Sequence, residues 1–291
     1  MQTITQNIIN IFGEKGKNWL ENLPQLVDTL KNHWSLRHLI PVNNMTYNYV
    51  AKAIDKNNIP VILKISCDEK SFEEEKVALN YFSGTCVKLI DYHEQYYALL
   101  LQQAVPGETL KIFYPQQEEF VMDCYVNVMK QLHHHSLPKQ HSYRHIRDWL
   151  MAIDRVSSDN IPHHLLQKAT QFKNKLLASL SKEIFLHGDL HHDNILKHQD
   201  SWLAIDPKGV VGEAEFEIAA FDFMYIDELA NANNVKNIFE KRVDLLAHKA
   251  NLNAQRIKDW VFVRLILMAA WSIEDGGEPS WAIQLAHLFA D

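Results

Sequence analysis

The stretch His187-Gly188-Asp189-Leu190-His191-His192-Asp193-Asn194 sets an acid and an amide on one loop behind a histidine, in the spacing H-x-D-x-x-x-x-N. Such a loop can do two jobs at once. A carboxylate at Asp189 can meet an incoming hydroxyl and accept its proton, while the side-chain oxygen of Asn194 reaches a Mg²⁺ ion carried on phosphates. Asp206, in Ile205-Asp206-Pro207-Lys208-Gly209, offers a second metal-binding carboxylate. Upstream, Lys64 in Val61-Ile62-Leu63-Lys64-Ile65 supplies a cation for the α- and β-phosphates, and Glu75 an acid to hold it. Together these residues predict transfer of a γ-phosphoryl group from ATP or GTP to a hydroxyl. Asp189 is the catalytic carboxylate, Asn194 and Asp206 hold Mg²⁺, and Lys64 and Glu75 serve the nucleotide.

Taken singly, each residue has a plainer explanation. Asp and Asn occur at this spacing in many loops, a strand lysine is usually solvated, and an acid such as Glu75 suits the start of a helix, where the dipole favours it. Order decides against that explanation: lysine, glutamate, connector, loop and post-strand aspartate follow one another on the element types the chemistry requires. His187, His191, His192 and Asp193 also raise a metal site, but histidines crowded into one loop do not make tetrahedral zinc without ligands from elsewhere. His133-His134-His135 follows the apolar Leu132 and reads as part core, part surface. The chain has no G-x-x-x-x-G-K-[ST], which excludes a P-loop nucleotidase.

The elements that must carry these residues can be read from periodicity. Trp19, Leu20, Leu23, Leu26, Val27 and Leu30 recur at helical spacing within the first 35 residues, with Pro24 expected at a junction or in the first turn of a second helix. Residues 47–54 and 60–65 read as strands joined by the turn Asp55-Lys56-Asn57-Asn58. Residues 71–82 read as a helix capped by Ser71, and 87–92 and 96–101 as further strands before Pro106-Gly107. Beyond it the chain is helical, apart from strand-like pieces at 184–186, 195–196 and 202–205 around the loop. This layout predicts an α+β, protein-kinase-like two-lobed fold. A β-rich N-terminal lobe spans 1–102, a hinge 103–108, and a helical C-terminal lobe with the acceptor site 109–291. Backbone groups at Gln102, Gln103 and Ala104 are expected to bind the nucleotide base. No glycine occurs from 17 to 83, so the nucleotide loop Asn43-Asn44-Met45-Thr46 must rely on asparagine for any left-handed backbone.

Bulk properties narrow the setting. The chain is 47% hydrophobic and 22% charged, enough for two cores and far from disorder. No basic segment followed by a long apolar run opens the chain, and the longest apolar stretch, 261–271, is interrupted by Arg264. Three scattered cysteines fit reduced thiols in a cytoplasmic protein. Residues 1–186 carry a net charge of +1 and residues 187–291 a net of −8. Nucleic acid is therefore excluded as a partner of the C-terminal part, whereas a small cationic ligand suits it, as does a merely solubilising acidic surface.

Four stretches carry a resemblance. They are Gly16-Lys17-Asn18-Trp19-Leu20-Glu21-Asn22-Leu23-Pro24, Val61 to Ile65, His187 to Asn194 running into Ile205-Asp206-Pro207-Lys208-Gly209-Val210-Val211-Gly212, and Ala269-Ala270-Trp271-Ser272-Ile273-Glu274-Asp275-Gly276. The chain resembles the aminoglycoside phosphotransferases, and within them the streptomycin 6-kinase or aminoglycoside/hydroxyurea resistance group. The resemblance implies an aminoglycoside acceptor, streptomycin-like, and antibiotic inactivation. Residues 213–228 hold Glu213, Glu215, Glu217, Asp222, Asp227 and Glu228 with no lysine or arginine. Of these, Glu217 and Asp222, together with Trp271, Glu274 and Asp275, are expected to meet a cationic substrate. Glu217 stands where the family has aspartate, and a structural role bonding the loop is its other reading. Open alternatives are a kinase of a choline-, fructosamine- or amino-sugar-like metabolite, and a nucleotide-binding pseudokinase.

Overall fold

The computed structural model describes residues 2–139, 141–180, 182–224, 228–229 and 234–290; Asp227 lies outside them. The chain divides into two units, one ending at Gly107 and the next beginning at Glu108.

The first unit opens with α1 (Gln2–His33), whose Ile4, Ile8, Leu23 and Leu30 enter a core beneath a sheet. The sheet is built from β1 (Arg37–Pro41), β2 (Asn48–Ile54) and β3 (Pro60–Ser66), and, after α2 (Glu69–Tyr81), from β4 (Leu89–His93) and β5 (Ala98–Gln102). Its order is β1-β2-β3-β5-β4, antiparallel throughout. In β3 the alternation lapses after Ile62 and every residue to Ser66 is buried, as a central strand covered on both faces requires. Leu63 and Ile65 are fully buried, and each contributes about 1.5–3 kcal/mol through removal from water.

Three local expectations are corrected. The break in α1 falls at Gly13 (φ 55°, ψ −128°), a backbone state open mainly to glycine, while Pro24 sits inside the helix. The cap of α2 is Asp68, not Ser71: the Asp68 carboxylate accepts from the Ser71 backbone N–H at 2.8 Å and from its hydroxyl at 2.8 Å. In the loop at 43–46 the asparagines keep negative φ. Met45 is buried and its sulfur accepts from the Val50 N–H, so a side chain, not left-handed backbone, shapes that loop.

A short strand, β6 (Pro106–Thr109), runs through the division, and the second unit then holds α3 (Glu118–Leu132), α4 (Ile146–Arg155), α5 (His163–Ala178), β7 (Ile184–Leu186), β8 (Ile195–His198), β9 (Ser201–Ala204), β10 (Val210–Gly212), α6 (Ala214–Ile218), α7 (Val235–Ala250), α8 (Ala254–Glu274) and α9 (Ser280–Phe289). Two small sheets form, β10-β7 and β6-β8-β9. From Trp260 to Ala270, α8 is apolar on every side but for Arg264, which suits a central helix; α4, α5, α6, α7 and α9 pack against it. Among the described residues no helix is long and apolar enough to cross a membrane, and Cys67, Cys86 and Cys124 are free thiols.

Candidate active site

The catalytic loop begins where β7 ends, and its first residues are tied down by a buried acid. Both carboxylate oxygens of Glu217, on α6, accept loop backbone N–H groups: Oε2 from His187 at 2.7 Å and Oε1 from Gly188 at 2.9 Å. Glu217 is fully buried, and His133 Nε2 lies 3.3 Å from Oε2. Burial pushes its carboxyl up, but His133, His187 and the Gly188 N–H outweigh it and hold it below its ordinary value. Glu217 therefore clamps the loop, the second of its two readings, and no exposed surface remains on it for an acceptor.

His187 is buried and bridges the ends of the site. Its Nε2–H donates to the Ile205 carbonyl at 2.8 Å and its Nδ1 accepts the Asp189 N–H at 3.3 Å; burial keeps it neutral by lowering its pKa. Gly188 takes φ +84°, and a Cβ there would stand 2.7 Å from the Trp149 ring, so glycine is required on both grounds. Asp189 follows with a side chain one-third exposed. Arg264, buried on α8, donates to Asp189 Oδ1 at 3.1 Å and to the Gly188 carbonyl at 3.2 Å. Burial would raise the Asp189 carboxyl, but the Lys208 and Arg264 charges prevail and hold it low, so it is ionised at neutral pH. Asp189 Oδ2, the oxygen that Arg264 does not hold, lies 4.0 Å from His191 Nε2.

Asn194 Nδ2 donates to the Asp189 carbonyl at 2.9 Å, which turns its side-chain oxygen away from that contact. The Asn194 carbonyl accepts the Ile205 N–H at 2.9 Å, so the residue preceding Asp206 is bonded to both ends of the loop. Asp206 itself adopts φ +58°, a left-handed state uncommon for a residue with a side chain and tolerated best by Asp and Asn. Asp189, Asn194 and Asp206 are thus brought onto one hydrogen-bonded frame. Asn194 and Asp206 offer hard oxygen donors of the kind Mg²⁺ takes.

Within the first unit, Lys64 Nζ lies 2.7 Å from each oxygen of Glu75, with both side chains buried. Lys64 faces α2 from the central strand, between Val50 on β2 and Leu99 on β5. At the end of β5, the Gln102 and Gln103 N–H groups are spent on the Lys88 and Pro60 carbonyls, at 2.9 and 3.4 Å, and Ala104 is buried.

The remaining candidates lie in the second unit. Asp222 is half exposed and stands 3.7 Å from both His191 Nδ1 and His192 Nδ1. Trp271 packs edge-on against Trp149, at 5.6 Å between ring centroids, and Trp149 reaches Gly188. Glu274 is paired with Arg155 at 2.7 Å, and burial together with Glu274 raises the carboxyl of Asp275 at the end of α8. Sequence reading assigned no role to Arg264, although the signal was present: a lone arginine inside the apolar run 260–271 needs a buried partner.

Known proteins resemble this chain along most of its length. Residues 33–276 match the family described as aminoglycoside/hydroxyurea antibiotic resistance kinase. A streptomycin 6-kinase of Streptomyces glaucescens is 26% identical, over 91% of this chain and 88% of that protein. A hydroxyurea phosphotransferase of Kitasatospora aureofaciens is 23% identical, over 91% of this chain and 77% of that one. A thermostable mutant of aminoglycoside phosphotransferase APH(4)-Ia, in ternary complex with ADP and hygromycin B, superposes with a TM-score of 0.70 at 13% identity, covering 90% of this chain and 97% of that one. That likeness shows the α+β protein-kinase-like fold. With a match that runs through both units, this chain belongs to the aminoglycoside/hydroxyurea antibiotic resistance kinase family and is a small-molecule phosphotransferase.

Proposed function

We propose that this protein transfers the γ-phosphoryl group of ATP or GTP to a hydroxyl of a streptomycin-like aminoglycoside and thereby inactivates it. The observation that carries the reading is the Asp189 carboxylate, gripped through Oδ1 alone by Arg264 on a loop clamped by Glu217. That arrangement fixes a carboxylate that stays ionised and half-engaged, which is what accepting a proton from a hydroxyl in the transition state requires. Asn194 and Asp206 would hold Mg²⁺, and the Mg-nucleotide supplies the phosphoryl group and neutralises its charge. Lys64, oriented by Glu75, presents its ammonium to the α- and β-phosphates, and the end of β5 at Gln102 to Ala104 meets the base.

The acceptor assignment draws on the streptomycin 6-kinase relative and on the acids of the second unit. Asp222 is half exposed beside the loop, close to His191, which in turn approaches Asp189. Trp271, Glu274 and Asp275 lie two to three turns along α8 from Arg264, about 10–16 Å by helical rise, a distance suited to an extended polycation rather than a compact alcohol. A guanidinium on that acceptor would compete with Arg155 for Glu274.

The test is a phosphorylation assay on the purified chain with ATP and GTP, offering streptomycin, other aminoglycosides, hydroxyurea, choline and simple sugars, with products identified by mass spectrometry. Phosphorylated streptomycin is expected. A product from hydroxyurea or a neutral sugar with none from streptomycin would sink the acceptor assignment and leave the phosphotransferase. Nucleotide binding with no product from any acceptor would favour a pseudokinase.

A further inference from the structure

Five buried side-chain polar atoms find no hydrogen-bond partner among the described residues, and three of them sit on one dipeptide, His191-His192. Buried polar groups are almost always satisfied, so such a concentration calls for a ligand. His192 is the sharper case: it is 1% exposed, and both of its ring nitrogens are orphaned. Its ring cannot swing away to find water, because Tyr114 and Phe221 pack against it at 4.9 and 5.2 Å between centroids.

A third donor arrives from a different element. Asp222 Oδ2 lies 3.7 Å from both His191 Nδ1 and His192 Nδ1. The donor atoms of the three residues all fall within 4.8 Å of one another. At 3.7 Å neither imidazole makes a hydrogen bond to the carboxylate. An ion bound at ordinary zinc distances in tetrahedral geometry separates its ligand atoms by about 3.3 Å, so the two 3.7 Å gaps to Asp222 need close by only a few tenths of an ångström, and the gap between the imidazoles, within 4.8 Å, by at most about 1.5 Å. Asp222 is also held in place. Phe221 and Phe223 on either side of it are buried, and the Phe223 carbonyl accepts from the Tyr114 hydroxyl at 2.7 Å and from Arg242 Nη1 at 2.9 Å. Asp222 remains half exposed, which leaves an entry path and room for a solvent ligand. The other acid of the loop, Asp193, is engaged by Lys111 at 2.5 Å.

We infer that His191, His192 and Asp222 form a binding site for a divalent transition ion of the zinc class, separate from the oxygen donors Asn194 and Asp206. Two imidazoles and one carboxylate with an open position suit Zn²⁺, Co²⁺ or Ni²⁺, whereas Mg²⁺ prefers all-oxygen octahedral surroundings. Selectivity between the two sites therefore follows from donor chemistry, although they share one loop.

The probe is Co²⁺, titrated into the full-length protein in the presence of excess Mg²⁺ and followed by its visible d–d absorption. The expected result is an intense low-coordinate band saturating near about one equivalent per chain and abolished by Zn²⁺. Asp222→Asn and His191→Gln, both at the solvent side, should each weaken Co²⁺ binding roughly tenfold or more. Because His192 is buried, its replacement would test folding as well as binding, so the two outer variants decide. Absence of the band overturns the site, as does a weak octahedral spectrum removed by Mg²⁺. An unchanged band in both variants would assign the ion elsewhere, with His133 to His135 the next histidines to examine. Since the readout is spectroscopic, it stands or falls independently of the acceptor and of turnover.

Discussion

In each unit a buried cation of the candidate site faces a carboxylate, Lys64 with Glu75 and Arg264 with Asp189, and the two pairs are built as opposites. In the first unit Lys64 meets both oxygens of Glu75, and both side chains are buried in the layer between β3 and α2. In the second unit Arg264 meets only Oδ1 of Asp189 and spends its other nitrogen on the Gly188 carbonyl, leaving the carboxylate one-third exposed. The lysine of the first pair is positioned by its acid; the acid of the second is positioned by its arginine. Burial of the supporting member is common to both. What differs is exposure: both members of the first pair are buried, while the second leaves one carboxylate oxygen open, a difference that matches the proposed roles of a point charge for phosphates and an open oxygen for a proton.

The comparison can be broken most severely at Asp189. Asp189→Asn should lower kcat by roughly 10²–10⁴-fold while nucleotide affinity, measured by fluorescence titration, stays close to wild type. Retention of most of the turnover would end the assignment. Next in size is Glu75→Gln, which strands a buried ammonium and should cost about 3–5 kcal/mol in denaturant unfolding. If stability is unchanged, the pair is not the buried unit described.

Glu217→Gln comes third. Its folded carboxyl is depressed, so the stability it provides is complete above the ordinary value of 4.5 and drains as pH falls through the lower folded value. The substitution should cost about 1.5–3 kcal/mol at neutral pH and flatten the acid limb of the stability profile. Parallel profiles for the two proteins would mean the clamp is not ionic. Smallest is Arg264→Lys, which keeps the charge but loses the fork that spans Asp189 and Gly188. We expect a kcat loss of roughly tenfold, about 1.4 kcal/mol, with the nucleotide KM unchanged. A shift confined to KM would remove Arg264 from the positioning of Asp189.

Much of this site was legible because its spacing is local. Asp189 and Asn194 occupy one loop, and the chemistry fixes their separation before any folding is considered. The strand that carries Lys64 could be read from its apolar, β-branched run and the helix that carries Glu75 from its cluster of acids, although α2 begins at Glu69 and sets Glu75 in its second turn. Local errors had local causes. Ser71 looked like a cap because Asp68, the stronger acceptor, stood one turn earlier, and Pro24 looked like a break because the chain bends instead at Gly13. Composition also suggested acids for a cationic acceptor, but it could not tell a clamp from a contact: Glu217 is consumed by loop amides, whereas Glu274 is held only by an exposed pair with Arg155.

By itself, then, the sequence determined the reaction class and the α+β architecture, and it nominated Lys64, Glu75, Asp189, Asn194 and Asp206 as candidates, because each of these depends on neighbours close in the chain or on element type. Only the tertiary structure decided which distant residues attend them. Arg264 reaches Asp189 from a helix 75 residues away, and Asp222 approaches His191 and His192 from beyond three intervening strands and α6. No periodicity encodes such meetings. They arise when α8 and the segment after α6 are packed against the loop, where burial leaves a charge or an imidazole no partner but the one the fold delivers.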